Sequence, residues 1–147
     1  MVDQTPDERA ASAADALYAR DAASQQLGIT VDVSVAGAAT AQMSVTKGML
    51  NGHAVCHGGH IFALADTAFA FACNGYGTVT VAAGATIDFL RPGKLGDRLT
   101  ATAEERHRGK RSGVYDVTVR DQNGAEIATF RGRSHDTQHP HEPPSAA

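Results

Sequence analysis

Between Asn51 and Gly75 the chain reads NGHAVCHGGHIFALADTAFAFACNG, its longest nearly unbroken apolar stretch. The spacing predicts a helix over residues 58–74. From Ile61 to Cys73 the only charge is Asp66, set among Ala, Phe, Leu and Ile. A helix that is apolar around its whole circumference has to be covered from all sides, so the rest of the chain must wrap this segment. Asp66 is then carried into oily surroundings. An ionised carboxylate is costly there, and burial drives its pKa upward unless donors or cations hold the charge. That cost makes Asp66 a candidate for chemistry. At about 17 residues the helix is roughly 25 Å long. It is short and alanine-rich for a membrane span, and the periodic strands after it suit the core of a soluble fold.

The flanking segments supply the wrapping. Thr5-Pro6-Asp7-Glu8 predicts a helix start, with Thr5 as cap, Pro6 in the first turn and Glu8 reaching back in a capping box. Ala14, Leu17 and Tyr18 share one face of that helix, and Gly28 ends it. From Ile29 the period becomes two: Ile29, Val31, Val33 and Val35 predict one strand. Ala39, Ala41, Met43 and Val45 predict a second, joined to the first as a hairpin across Gly37. After the apolar helix, Val79, Val81, Ala83, Ala85, Ile87 and Phe89 fall on one face of a long strand that ends at Arg91-Pro92-Gly93. Three more strands follow around residues 99–104, 114–120 and 125–135, the last pair joined by Asn123-Gly124, a strong hairpin signal. Read this way the chain has a helical extension over residues 1–28, a domain over 29–136 closing in a four-strand meander, and a Pro- and His-rich tail over 137–147 expected to be disordered.

Length and charge narrow the function. At 147 residues one domain is expected, with no room for a separate cofactor or effector domain. A formal net charge of −3 argues against a nucleic-acid binder, which needs a basic face. The two cysteines, Cys56 and Cys73, have no framework spacing, and the N-terminus shows no secretory signal, so the expected compartment is the cytoplasm. His53, His57 and His60 raise the question of a metal, but a catalytic zinc takes a third firm ligand and an oriented second shell. No metal is expected. Cys56 beside His57 does not make a dyad, because sequence neighbours seldom face each other productively.

One buried helix placed before so many antiparallel strands has an economical solution, an α+β fold in which a curved antiparallel sheet wraps the helix: the hot-dog fold. Asn51, the run Cys56-His57-Gly58-Gly59, then Leu64-Ala65-Asp66-Thr67-Ala68 and the strand Thr86-Ile87-Asp88-Phe89-Leu90-Arg91-Pro92-Gly93 resemble the acyl-CoA thioesterases of the hot-dog superfamily, the phenylacetate-degradation type most of all. The resemblance implies hydrolysis of aryl-acyl-CoA without metal or cofactor, by a homo-oligomer built as a dimer that pairs into a tetramer. It puts the catalytic carboxylate on Asp66, the carbonyl-polarising backbone amide on Gly58 and a side-chain amide on Asn51. An Asn of the family's N-terminal helix falls on Arg20 here. Substrate contacts are expected from His57 and Gly59, and from cations such as Arg91 and Lys110, which would meet the coenzyme A phosphates.

Elementary chemistry supports the same roles. The first amides of a helix lack partners and present the positive end of its dipole, so Gly58 can donate to a thioester oxygen. Asp66 can attack the carbonyl to give an anhydride or can deprotonate water, and the sequence leaves both routes open. A hydratase on the same fold and an acyl-CoA sensor are the competing readings. Gly58 and Asp66 are eight residues apart, about 12 Å along one helix, too far for one carbonyl to touch both. The acid should therefore come from a second chain, with active sites at a dimer interface.

Overall fold

The computed structural model describes residues 3–141. In it α1 (Pro6–Ala19) and the short α2 (Ala22–Gln26) precede β1 (Thr30–Asp32) and β2 (Ala38–Ser44). The central helix α3 (Gly58–Cys73) follows, and then β3 (Thr78–Phe89), β4 (Arg98–Arg108), β5 (Ser112–Arg120) and β6 (Glu126–Pro140). All six strands form one antiparallel sheet in the order β1-β2-β4-β5-β6-β3, curled over α3.

The capping box forms as expected. Thr5 accepts from Glu8 N–H, and the Glu8 carboxylate accepts from Thr5 N–H at 2.8 Å. The helical extension is not continuous, however. Asp21 accepts from Ser24 N–H at 2.9 Å and restarts the chain as α2, a local cap that apolar periodicity does not reveal. Tyr18 donates to the Ile29 carbonyl at 2.7 Å and its ring tilts against Phe71, so α1 lies on the C-terminal half of α3.

β1 is three residues rather than the whole 29–35 run, because the chain turns at 35–37, where Asp7 accepts from Ala36 N–H. Val35 is left exposed. β2 matches its expectation, with Ala39, Ala41 and Met43 buried. The expected four-strand meander is wrong by one strand. β4, β5 and β6 follow one another, but β3 crosses to the far side of β6 and becomes the edge of the sheet, while β2 takes the place beside β4.

Within β3, alternation holds from Ala85 to Phe89, where Ala85 and Ile87 stand opposite Gly132 and Phe130. A bulge between Ala82 and Gly84 then shifts the parity. Ala82, not Ala83, faces the buried Ser134, and Val81 is 46% exposed, so the single apolar face expected for β3 breaks at the bulge. β6 runs to Pro140, so Thr137 to Pro140 belong to a strand rather than to a disordered tail. The expectation for 142–147 lies outside the described residues.

The core sits between α3 and the sheet. Leu64, Ala65, Ala68 and Phe69 are 0–1% exposed. Phe69 lies so close over Gly132 that a Cβ there would stand 2.7 Å from its ring, which only glycine allows. α3 is not covered all round, contrary to expectation. Phe62 is exposed, and Ala63, Asp66, Thr67 and Ala70 are half-buried, forming one stripe along the helix that the chain leaves open. Among the described residues no helix is long and apolar enough to cross a membrane.

Candidate active site

α3 begins where a tight loop ends. Asn51 N–H donates to the Val55 carbonyl at 2.8 Å, and Asn51 Oδ1 accepts from the N–H groups of His53 and Val55 at 2.9 and 3.3 Å. The next two residues are pinned from below, Cys56 N–H to the Gly93 carbonyl and His57 N–H to the Met49 carbonyl, both at 2.7 Å. Asn51 is thus both a turn former and an oriented donor. Its oxygen is held by the loop, and no described residue takes a hydrogen bond from its Nδ2.

His57 is the N-cap of α3. Its Nδ1 accepts from Gly59 N–H at 2.9 Å, and its carbonyl accepts from His60 N–H at 2.9 Å and from Ile61 N–H at 3.4 Å. Of the N–H groups at this helix start, that of Gly58 alone has no acceptor among the described residues. The helix dipole adds to its pull on a negative oxygen. Gly58 lies in a cavity of about 370 Å³ that Asn51, Ile61, Phe89 and Arg91 also line. The ring of Phe89 fills the space beside its Cα, with Cζ 3.1 Å from where a Cβ would stand.

Asp66 lies two turns further along α3, on the open stripe. Burial pushes its carboxyl pKa above the ordinary value, and no ion pair among the described residues reaches it. Thr67 donates to the Ala63 carbonyl at 2.7 Å, and the buried Ser24 of α2 comes within 3.5 Å of it, so the N-terminal helices border the stripe beside the acid.

Opposite α3 runs the edge strand. Asn74 caps the helix C-terminus and clasps the start of β3: its amide donates to the carbonyls of Ala70 and Thr80 at 2.8 and 2.9 Å and accepts from Thr80 N–H at 2.9 Å. Phe89 meets Gly58 at the other end. α3 and β3 are joined at both ends, with Asp66 midway along the helix.

The remaining expected residues divide. The N–H of Gly59 is already used by His57, so Gly59 offers no second amide donor. Arg91 donates to the Glu126 carbonyl at 2.9 Å and stands at the rim of the Gly58 cavity. Lys110 sits in the β4–β5 turn, roughly 24 Å along β6 from the Phe89 end. Arg20, at the end of α1, lines a separate cavity with Leu17, Asn74 and Thr80 near the C-terminus of α3. Among the described residues no three His, Cys, Asp or Glu side chains converge as a metal site. Sequence reasoning missed Phe89 as a neighbour of Gly58, since strand and helix meet there only through the tertiary fold.

A curled antiparallel sheet wrapped on one long helix is the hot-dog fold, and the chain belongs to the thioesterase superfamily, whose family model matches residues 53–128. It is 54% identical over 122 residues to the acyl-coenzyme A thioesterase PaaI of Escherichia coli K12, which covers 83% of this chain and 87% of that protein. The solved structure of the E. coli PaaI protein from the phenylacetic acid degradation operon superposes with a TM-score of 0.90 at 49% identity, covering 92% of this chain and 99% of that one. The smu.793 protein of Streptococcus mutans UA159, solved bound to acetyl CoA, matches with a TM-score of 0.73 at 28% identity over 77% of this chain and 91% of that one. The chain is therefore a thioester hydrolase of that superfamily.

Proposed function

We propose that the protein hydrolyses aryl-acyl-CoA thioesters such as phenylacetyl-CoA or hydroxyphenylacetyl-CoA, in active sites shared between two chains of a homodimer that pairs further into a tetramer. In this reading Gly58 N–H and Asn51 Nδ2 of one chain hold the thioester oxygen, and the partner's Asp66 attacks the carbonyl or draws a proton from water. On the first route the C–S bond breaks as the anhydride forms, coenzyme A leaves as its thiolate, and water then cleaves the anhydride. On the second, water adds directly. Single turnover in isotopically labelled water separates them: label in Asp66 marks the anhydride.

The observation that carries the reading is that the open amide and the acid lie about 12 Å apart along one helix, with both residues only partly buried. β3 supports it as an unpaired edge with Val81 and Phe89 exposed, a surface that natural sheets cover. The aryl preference leans on the relative from a phenylacetic acid degradation operon. Acyl-CoA as ligand also accords with the relative solved with acetyl CoA. Arg91 and, from the far end of the sheet, Lys110 are the proposed cations for the coenzyme A phosphates, and the proposed compartment is the cytoplasm.

The test is complementation. Asp66→Ala chains and Asn51→Ala chains, each nearly inactive alone, are co-expressed. Random pairing makes half the dimers mixed, each with one intact site of two, so activity returns to roughly a quarter of wild type. Mixed dimers that form yet stay at the level of the single mutants overturn the shared site.

A further inference from the structure

Of the five phenylalanines, Phe69, Phe71 and Phe130 are 1–3% exposed and belong to the core. Phe62 and Phe89 are 36% and 53% exposed; Phe89 lies on β3, and Phe62 packs on Phe130 of β6, which stands opposite Ile87 of β3. Phe89 stands against Gly58. Phe62 is the largest apolar side chain on the open stripe of α3, four residues from Gly58 and four from Asp66, which is about 6 Å along the axis to each.

Symmetry gives that midpoint a meaning. A two-fold axis that brings Gly58 to the partner's Asp66 also brings Asp66 to the partner's Gly58, so it passes between the two α3 helices halfway between them, at the level of residue 62. The two Phe62 side chains then meet on the axis, each within reach of both sites. Behind each ring stands Phe130, edge-on at 5.4 Å and 66°, which holds Phe62 in one orientation and makes the wall stiff.

We infer that Phe62 is the residue that selects aromatic acyl groups: the pair of rings at the dimer axis forms one wall common to both pockets, and the ring of an aryl-acyl substrate packs against it edge-to-face. This rests on the shared-site reading above. An aliphatic acyl chain meets the same wall as apolar surface but forfeits the ring–ring geometry. The discrimination due to Phe62 should therefore be that of a single aromatic pair, roughly 3- to 10-fold in kcat/KM.

The experiment compares phenylacetyl-CoA with hexanoyl-CoA on Phe62→Leu and Phe62→Tyr, with sedimentation confirming the dimer. Leucine keeps apolar bulk at the axis, so the dimer should persist while the aryl-to-alkyl ratio of kcat/KM falls roughly 3- to 10-fold. Tyrosine, which keeps the ring, should retain the preference. A dimeric Phe62→Leu enzyme in which both substrates lose activity in equal proportion overturns the inference, because a merely structural residue would not move the ratio. The two readings fail separately. Complementation to about a quarter with an unmoved ratio removes Phe62 alone, whereas absent complementation removes the shared site and with it the axis on which Phe62 depends.

Discussion

The two sides of α3 are made of much the same residues and do opposite things. One side lays Leu64, Ala65, Ala68 and Phe69 onto the sheet with essentially no exposure. The other carries Phe62, Ala63, Asp66 and Ala70 and is left part-open. Apolar content alone does not tell which side the chain itself will cover, because hydrophobic burial is non-directional. Shape decides it. Gly132 lets Phe69 descend onto β6, whereas Asp66 stays only half-buried. Under the proposed function, the covered side holds the fold together and the open side, destined for a second copy, holds the reactive acid.

The sharpest way to break that contrast is to damage the covered side. Phe69→Ala removes a ring that packs on Gly132, Tyr115 and Phe130 and should destabilise the protein by roughly 3–5 kcal/mol, a large share of the ~5–15 kcal/mol a domain of this kind has. Thermal melts would show it as a drop in Tm, with activity lost only in proportion to unfolding. If turnover per folded molecule collapses instead, the covered side is not merely structural.

Asp66→Asn should do the reverse. The amide keeps the shape, so the fold survives while kcat falls by a factor of order 10² or more, as expected when a nucleophile or base is removed. Retention of most wild-type turnover would take Asp66 out of the mechanism, whichever route the chemistry follows.

The contrast also marks what could be read from the chain beforehand. The capping box at Thr5 and Glu8, the start of α3 at Gly58 and the alternation in β2 and β5 were legible, since each depends on residues within a few positions of one another. Asp66 stood out for a physical reason, being a lone charge in an apolar helix. What stayed hidden depends on contacts between distant segments. β3 was readable as a strand but not as the edge beside β6, and its bulge, which turns Val81 outward, leaves no mark in a run of small residues. The restart at Asp21 was hidden by the unbroken helical composition around it. Asn51 proved to be a turn former whose oxygen is tied and whose nitrogen is not, a combination that Asn51-Gly52 alone does not announce.

The smallest expected effect concerns the cost of keeping Asp66 where it is. Burial raises its folded-state pKa above the ordinary value near 3.8, so in the window between the two the folded protein still holds a proton that the unfolded chain has released. With more protons bound in the folded state, stability declines as pH rises through that window. Asp66 contributes fully below the ordinary value, and its contribution is lost once pH passes the raised one. Asparagine never ionises. Asp66→Asn should therefore melt higher than wild type at pH 7, and the advantage should shrink toward zero near pH 4. The wild-type pH–rate profile should show the same group from the other side, with kcat/KM falling on the acid limb at a pH above that of an ordinary carboxylate. Paired melts of the two proteins across this range make the check. A stability difference that does not change with pH would mean that the carboxylate is no strain on the fold, and the cost that first distinguished Asp66 from the residues around it would be absent.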